Sequence, residues 1–214
     1  MDGDLLSKPR KQEDSTAQSE KKKDTFDKIA PFYGVFYTYQ KWYFRRLLRL
    51  IKQETDLSNK ASIADIGCGT GALCAVLNES GYDVTGVDIS PEMLAIAKKK
   101  KENQNVTFAQ GDVLKGLPFA DKQFDAAFLA HVVHGFSADD RSILYEEVKR
   151  ITRCEVFIHD FNNRRCFVID LVEKLEGSDY HSFIEQGYQE MTAHFTKVSC
   201  LKAGRYSTLY IGRP

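Results

Sequence analysis

The 214-residue chain is long enough to bury one core, and its 43% apolar content favours a single globular domain. Its 30 basic residues balance 30 acidic residues, so no net electrostatic field would hold it on nucleic acid, and we expect no nucleic-acid partner. Its five cysteines lack the Cys-x-x-Cys spacing of zinc and redox sites, so we predict no metal; without a long apolar segment, we expect a cytoplasmic protein.

The N-terminal part of the chain changes character at about residue 25. Residues 1–24 are polar and charged, and we expect a disordered tail before a domain spanning residues 25–214. The aromatic-rich segment 25–53 predicts two helices broken near Pro31. Residues 41–52 are basic and amphipathic, which leaves two interpretations: a helix on a membrane surface or a packed helix with a solvated positive face. The sequence favours the packed helix, because the core needs the same apolar stripe.

Short apolar runs alternate with helical segments over the rest of the chain. The predicted strands are residues 62–66, 83–87, 105–109, 124–130, 154–160, 196–202 and 206–212. The predicted helices are residues 71–80, 91–102, 138–150, 163–176 and 180–193. Strands separated by helices imply right-handed crossovers, so the predicted fold class is α/β, with a doubly wound parallel sheet between helical layers.

The segment ADIGCGTGAL joins the first strand to the following helix and can be read in two ways. Gly67, Gly69 and Ala72 fit the G-x-G-x-x-G/A spacing of a dinucleotide site, whereas Gly67, Gly69 and Gly71 fit the tighter G-x-G-x-G of another nucleotide site. In both sites the glycines admit a ligand to the helix N-terminus, and Asp88, at the end of the second strand, would bond ribose hydroxyls.

Acidic residues at the strand ends distinguish the two sites. Asp65 would face the pyrophosphate of a dinucleotide and repel it by several kcal/mol, whereas it would attract the cationic methionine end of S-adenosylmethionine. Asp112, beside Gly111 after the third strand, is suited to accept a hydrogen bond from the adenine amine. These acids favour S-adenosylmethionine as the cofactor, with an NAD-dependent oxidoreductase as the alternative. Taken singly, Asp65 and Asp112 also fit turn or cap positions.

With VTGVDISPEML, FDAAFLAHVVHGF and FDKIAPFYG, the chain resembles the class I S-adenosylmethionine-dependent methyltransferases, particularly the small type 11 group that includes quinone-biosynthesis enzymes. The resemblance covers about residues 25–214. It implies a Rossmann-like methyltransferase fold: a seven-stranded, mostly parallel sheet whose last strand is antiparallel, with lid helices at residues 25–53. Where many relatives have an LKPGG-like turn, this chain reads ITRCEV, so the start of the fifth strand is not defined.

The resemblance also implies which residues contact the cofactor. They lie in the glycine loop and at the strand ends: Asp65, Gly67, Cys68, Gly69, Gly71, Asp88, Ile89, Met93, Gly111, Asp112, Val113 and Ala130.

Residues on the acceptor side are less specific. A sulfonium transfers its methyl group once the acceptor is aligned, and only some acceptors need a base. His131 and His134 after the fourth strand, and His159 at the end of the fifth, are the candidate bases; packing against the cofactor is their alternative role. Tyr33 and Tyr37 in the predicted lid are expected nearest the methyl group.

Together these features predict an S-adenosylmethionine-dependent methyltransferase that acts by in-line displacement. The short insert after the fifth strand favours a small, partly apolar acceptor over a macromolecule. A non-catalytic S-adenosylmethionine-binding protein is a second alternative. The acceptor atom and the oligomeric state are not predicted.

Overall fold

A computed structural model describes residues 37–58, 61–164 and 179–214 of the chain. The tail predicted for residues 1–24 and nearly all of the helix predicted for residues 163–176 lie outside these ranges, so both stay predictions.

The described residues form helices and strands in alternation. The helices are α1 (Tyr37–Glu54), α2 (Ala72–Glu79), α3 (Pro91–Lys99), α4 (Ala138–Ile151) and α5 (Tyr180–His194). The strands are β1 (Ser62–Ile66), β2 (Asp83–Asp88), β3 (Thr107–Gln110), β4 (Phe124–Ala130), β5 (Thr152–Phe161), β6 (Lys197–Lys202) and β7 (Ser207–Arg213). Short 3-10 turns occupy Lys101–Asn103, Val113–Lys115 and Val133–Gly135.

The strands form one seven-stranded sheet in the order β3-β2-β1-β4-β5-β7-β6. Strands β1 to β5 pair in parallel, and β7 pairs antiparallel with both β5 and β6. The carboxyl ends of the parallel strands therefore meet at one edge, where α/β folds bind ligands. The predicted doubly wound, mostly parallel sheet with an antiparallel last strand is confirmed.

Most boundaries differ from the predicted ones by one to three residues, and two of these differences have a clear local reason. β5 begins at Thr152, two residues early, because α4 runs into the strand without a turn; the amide of Thr152 caps the helix by donating to the carbonyl of Lys149. α3 ends at Lys99, before the predicted residue 102, because Lys100 adopts an extended conformation. The N-terminus of α3 is capped as its sequence indicates, by the Ser90 hydroxyl.

The sheet separates two apolar layers, as its alternating side chains require. Helices α1 and α2 cover one face, over Ile63, Phe128 and Phe157. Helices α4 and α5 cover the other, over Leu129 and Ile158.

Helix α1 turns its apolar stripe toward the sheet. Phe44, Leu47, Leu48 and Ile51 are buried, each stabilising the fold by about 2 kcal/mol. This burial is what the packed-helix interpretation of residues 41–52 requires.

The outer side of α1 carries aromatic residues. The rings of Trp42 and Tyr39 stack, with centroids 6.1 Å apart. Trp42 is 55% exposed, so it does not belong to the core that packs on the sheet. Contact of this surface with a membrane stays an untested alternative.

None of the helices in the described ranges has the length and apolar character needed to cross a membrane.

Candidate functional site

The glycine loop after β1 folds back onto the end of β2. The amides of Gly67 and Cys68 donate to the carbonyl of Val87 at 2.8 and 2.9 Å. Gly67 and Gly69 have φ angles of +72° and +53°, in the left-handed region that side chains disfavour. A Cβ on Gly67 would lie 2.6 Å from Val132, whereas one on Gly69 would meet no described atom within 4 Å. Gly69 thus borders open space at the ligand-binding edge of the sheet.

The rest of the loop is tightly packed. The amide of Gly71 donates to the carbonyl of Cys68 at 2.9 Å, and a Cβ on Gly71 would collide with the Asn103 side chain. Burial raises the pKa of the Cys68 thiol to about 11, so this thiol is neutral, and its contact with a cofactor stays a prediction.

Asp65 lies beneath the loop and is 1% exposed. Burial raises the pKa of its carboxyl to about 7; the Cys74 thiol, which donates to Oδ2 at 3.0 Å, opposes the shift, and the charge of Asp88 adds to it. No cationic side chain within the described ranges pairs with Asp65. A cationic ligand would therefore gain from this carboxylate.

Asp88, at the end of β2, braces the loop. Its Oδ2 accepts from the Gly69 amide at 2.7 Å, and its Oδ1 accepts from the Ser90 amide at 2.9 Å. Each carboxylate oxygen has two lone pairs, so Asp88 can hold the loop while accepting from a ribose hydroxyl.

The end of β3 adds a third carboxylate. Asp112 caps the 3-10 turn, accepting from the Leu114 amide at 3.1 Å, and pairs with Lys115 at 3.2 Å. The cap role that the sequence left open is therefore present, and the adenine contact stays a prediction. The amide of Gly111 donates to the carbonyl of Asp88 at 3.1 Å, which joins this turn to β2. Val113 is buried in the turn.

The remaining predicted cofactor residues line the same edge. Ile89 is half-buried and its carbonyl accepts from the Gln110 side chain at 3.0 Å. Met93 is buried in the first turn of α3, and half-buried Ala130 ends β4. Their contacts with a ligand stay predictions.

The structure brings the three predicted histidines together at the carboxyl ends of β4 and β5. The ring of His131 lies 4.7 Å from that of His159 and 6.3 Å from that of His134, between centroids. His134 Nδ1 lies 2.7 Å from Oδ1 of Asp160. Burial would raise the pKa of Asp160, but His134, with smaller contributions from His131 and the Phe161 amide, lowers it to about 2. Asp160 is therefore a buried anion.

His159 connects the histidines to α1. Its Nε2 lies 2.8 Å from the hydroxyl of Tyr43, which lies 3.0 Å from the Ser207 hydroxyl on β7. Burial, helped by His131, lowers the pKa of His159 to about 3, so the ring is neutral. Its Nδ1 is buried without a hydrogen-bond partner among the described residues. Such an orphaned atom costs about 1–3 kcal/mol and suits a polar ligand.

Of the two tyrosines predicted beside the methyl group, Tyr37 is not joined to this cluster. Tyr33 lies outside the described residues. Tyr37 packs in the core layer of α1, with the ammonium of Lys100 4.5 Å from its ring centroid, and burial raises the pKa of its phenol. The aromatic residue of α1 that reaches the histidines is Tyr43.

Sequence reasoning missed Tyr43 and Ser207 as site residues, and it noted Asp160 only as the neighbour of His159 at the end of the fifth strand. The spacing of Tyr43 to Leu47 is helical, which is typical of an apolar stripe and gives no sign of a role in a site. For Asp160 a signal existed: neighbours on a strand point to opposite faces, so His159 and Asp160 had to serve different layers.

The sheet order and the helices on both faces are those of the Rossmann-like methyltransferase fold. Residues 64–158 match the family described as "Methyltransferase domain", Methyltransf_11. The chain has the class I S-adenosylmethionine-dependent methyltransferase fold, and its central segment matches that domain family, as the sequence resemblance implies.

Curated and solved relatives agree with this assignment. The demethylmenaquinone methyltransferase of Tropheryma whipplei strain Twist is 37% identical over 115 residues, which cover 50% of this chain and 44% of the relative. That of Thermus thermophilus is 34% identical over 125 residues, covering 55% and 56%. This chain thus spans about half the length of the curated relatives it matches. The fold of DhpI, solved as its SAH complex, aligns with a TM-score of 0.67 and 21% identity over 92% of this chain and 97% of that chain.

Proposed function

We propose that this protein transfers a methyl group from S-adenosylmethionine to a small, partly apolar acceptor by in-line displacement. The observation that carries the proposal is the buried carboxyl of Asp65, 1% exposed beneath the glycine loop. A doubly anionic pyrophosphate beside it would be repelled, whereas the cationic methionine end of S-adenosylmethionine would be attracted. The site therefore favours this cofactor over NAD.

Each end of the cofactor has a matching group. Asp65 would engage the ammonium group, and the backbone of Gly67 and Gly69 would support the methionine moiety. Asp88 would accept from the ribose diol, and Asp112 from the adenine amine. The acids lie on the ends of β1, β2 and the turn after β3, which the sheet holds rigidly.

The acceptor would lie against the histidine cluster. His131, His134 and His159 offer polar groups at the ends of β4 and β5, and Tyr43 closes this side from α1. Enzymes of this kind mainly supply alignment, at roughly 3–3.5 Å between the reacting atoms. Proton removal, where the acceptor needs it, is assigned to this cluster.

The relatives support an aromatic acceptor. Two of them are named demethylmenaquinone methyltransferase, and they are 37% and 34% identical to this chain over the matched residues. A hydroxylated aromatic ring is therefore the first acceptor class to test. Such a ring is small, and part of its surface is apolar.

The cofactor is tested by calorimetric titration with S-adenosylhomocysteine and with NAD. Binding of the first and not of the second supports the proposal, and the reverse supports the oxidoreductase alternative. Asp88→Ala should weaken binding, whereas Asp83→Ala, which removes an exposed carboxylate from the other end of β2, should not.

Catalysis is tested with radiolabelled S-adenosylmethionine and a panel of quinol, phenol, thiol, amine and carboxylate acceptors. Turnover with one acceptor class supports methyl transfer. Tight cofactor binding without turnover on any of them would support the non-catalytic alternative.

A further inference from the structure

Two imidazole nitrogens and one carboxylate oxygen converge where β4 and β5 end. The candidate ligand atoms of His131, His134 and Asp160 all lie within 4.8 Å of one another. From Oδ1 of Asp160, Nδ1 of His134 is 2.7 Å away and Nδ1 of His131 is 4.0 Å away. Asp160 is 26 positions from His134 along the chain, so the sequence alone gives no metal-binding motif and the cluster forms only in the fold.

The carboxylate of Asp160 is held by the main chain. Its Oδ2 accepts from the amides of Val133 at 3.0 Å and His134 at 3.3 Å, and its Oδ1 accepts from the amide of Phe161 at 2.8 Å. These bonds fix the anion without help from either imidazole. A cation can therefore replace the proton between His134 Nδ1 and Asp160 Oδ1 while the main-chain amides keep the carboxylate in place.

His131 is held in an unusual conformation that keeps its ring at this cluster. Its φ of +57° is left-handed, which costs a non-glycine residue about 1–3 kcal/mol. Its amide donates to the carbonyl of His159 at 2.8 Å, which anchors the turn to β5. Its side chain is 39% exposed, whereas those of His134 and Asp160 are 10% and 0% exposed, so the cluster extends from the protein surface to a buried carboxylate.

We propose that His131, His134 and Asp160 bind a divalent transition-metal ion such as Zn²⁺. Two imidazoles and one carboxylate are a donor set that such ions prefer. Bonds of about 2.0–2.2 Å place donors roughly 3–4 Å apart, and the separations of 2.7 and 4.0 Å lie near those limits. This proposal replaces the sequence-based expectation of no metal.

Three protein ligands leave room for one more donor. An oxygen or sulfur atom of the acceptor could fill that position, and the ion would then favour its deprotonated form. This role rests on the proposed function, whereas binding of the ion does not.

The test uses the full chain after treatment with a chelator. Titration with Co²⁺, followed by visible absorption, and with Zn²⁺, followed by calorimetry, should show one saturable site per chain. His131→Ala and His134→Ala should each weaken binding by about tenfold or more. His194→Ala is the matched control: it removes an imidazole that pairs with Glu146 on the surface, and it should leave the titration unchanged.

The proposal is overturned if no saturable site appears, or if His131→Ala binds the ion as the parent does. Because His131 is partly exposed, that variant should fold, which circular dichroism checks. S-adenosylhomocysteine binding is measured on the same samples. Loss of ion binding alone contradicts this site, and absence of S-adenosylhomocysteine binding alone contradicts the proposed function.

Discussion

Replacing Asp65 by asparagine should change how the stability of the ligand-free protein depends on pH. The folded chain holds the proton of this carboxyl up to pH about 7, whereas the unfolded chain releases it near its ordinary pKa of 3.8. The contribution to stability is therefore complete at low pH and is lost as the pH rises through 7. Asparagine carries no such proton and can still accept from the Cys74 thiol.

The magnitude follows from the width of this interval. Between pH 5 and 7 the folded state retains a proton that the unfolded state has lost, at about 1.4 kcal/mol per pH unit, or about 3 kcal/mol in all. Urea unfolding of the parent and of Asp65→Asn at pH 5 and pH 8 measures it. The variant should gain about 3 kcal/mol relative to the parent over this range.

The same substitution should act in the opposite direction on the ligand. At pH 8 the parent offers a carboxylate to the ammonium group, so Asp65→Asn should bind S-adenosylhomocysteine at least about tenfold more weakly. Parent affinity should fall as the pH drops below 7, because the ligand must displace a proton, and the affinity of the variant should not. The neighbouring groups Asp88, Cys68 and Cys74 are present in both proteins, so the comparison isolates Asp65. The reasoning would be refuted if the difference in unfolding free energy between the parent and Asp65→Asn were the same at pH 5 and at pH 8.

Three further predictions test other parts of the site. Asp88→Asn should weaken S-adenosylhomocysteine binding by about 1.5–3 kcal/mol, because a charged acceptor for the ribose and for the Gly69 amide is lost; unchanged affinity in calorimetry would remove Asp88 from the site. Gly69→Ala should destabilise the protein by about 1 kcal/mol in thermal unfolding, because φ at this position is +53°. It should also reduce cofactor affinity, because the added Cβ would enter the open space beside the loop. Equal affinity of the variant and the parent would mean that the cofactor lies elsewhere. Tyr43→Phe should slow methyl transfer more than Tyr37→Phe, because the Tyr43 hydroxyl contacts His159 whereas Tyr37 packs in the core layer of α1. A larger effect of Tyr33→Phe or Tyr37→Phe than of Tyr43→Phe, measured on the acceptor found in the screen, would return the role to the predicted pair.

The cofactor half of the fold was readable because local signals agreed there. Glycines, the Ser90 cap and apolar runs each point to the same strand or helix, and β1 and β4 have the predicted bounds. Thr152 was harder: a residue that both ends a helix and begins a strand carries no turn residue to mark the boundary.

The acceptor side was only partly readable, because its contacts join distant segments. His159 and Tyr43 are 116 positions apart, and a helical stripe alone cannot tell a core tyrosine from one that bonds a histidine. His131, His134 and His159 were found by their place after strands, yet their grouping depends on β4 and β5 being neighbours. Asp160 shares that dependence, since its partners come from the turn after β4.

One irregularity in β5 decides which layer each acceptor-side residue serves. Phe124 pairs with Thr152 and Ala126 pairs with Glu155, so β5 contains one residue more than β4 between these two pairs, which is a β-bulge. Deleting one residue within this bulge would restore regular pairing and leave every later pair intact. Deleting one between the bulge and Asp160 would instead shift the phase of the strand and exchange its faces, turning the histidine away from α1 and the carboxylate away from its amides. We therefore expect β5 to tolerate a one-residue deletion between Thr152 and Glu155, and not to tolerate one between Glu155 and Asp160.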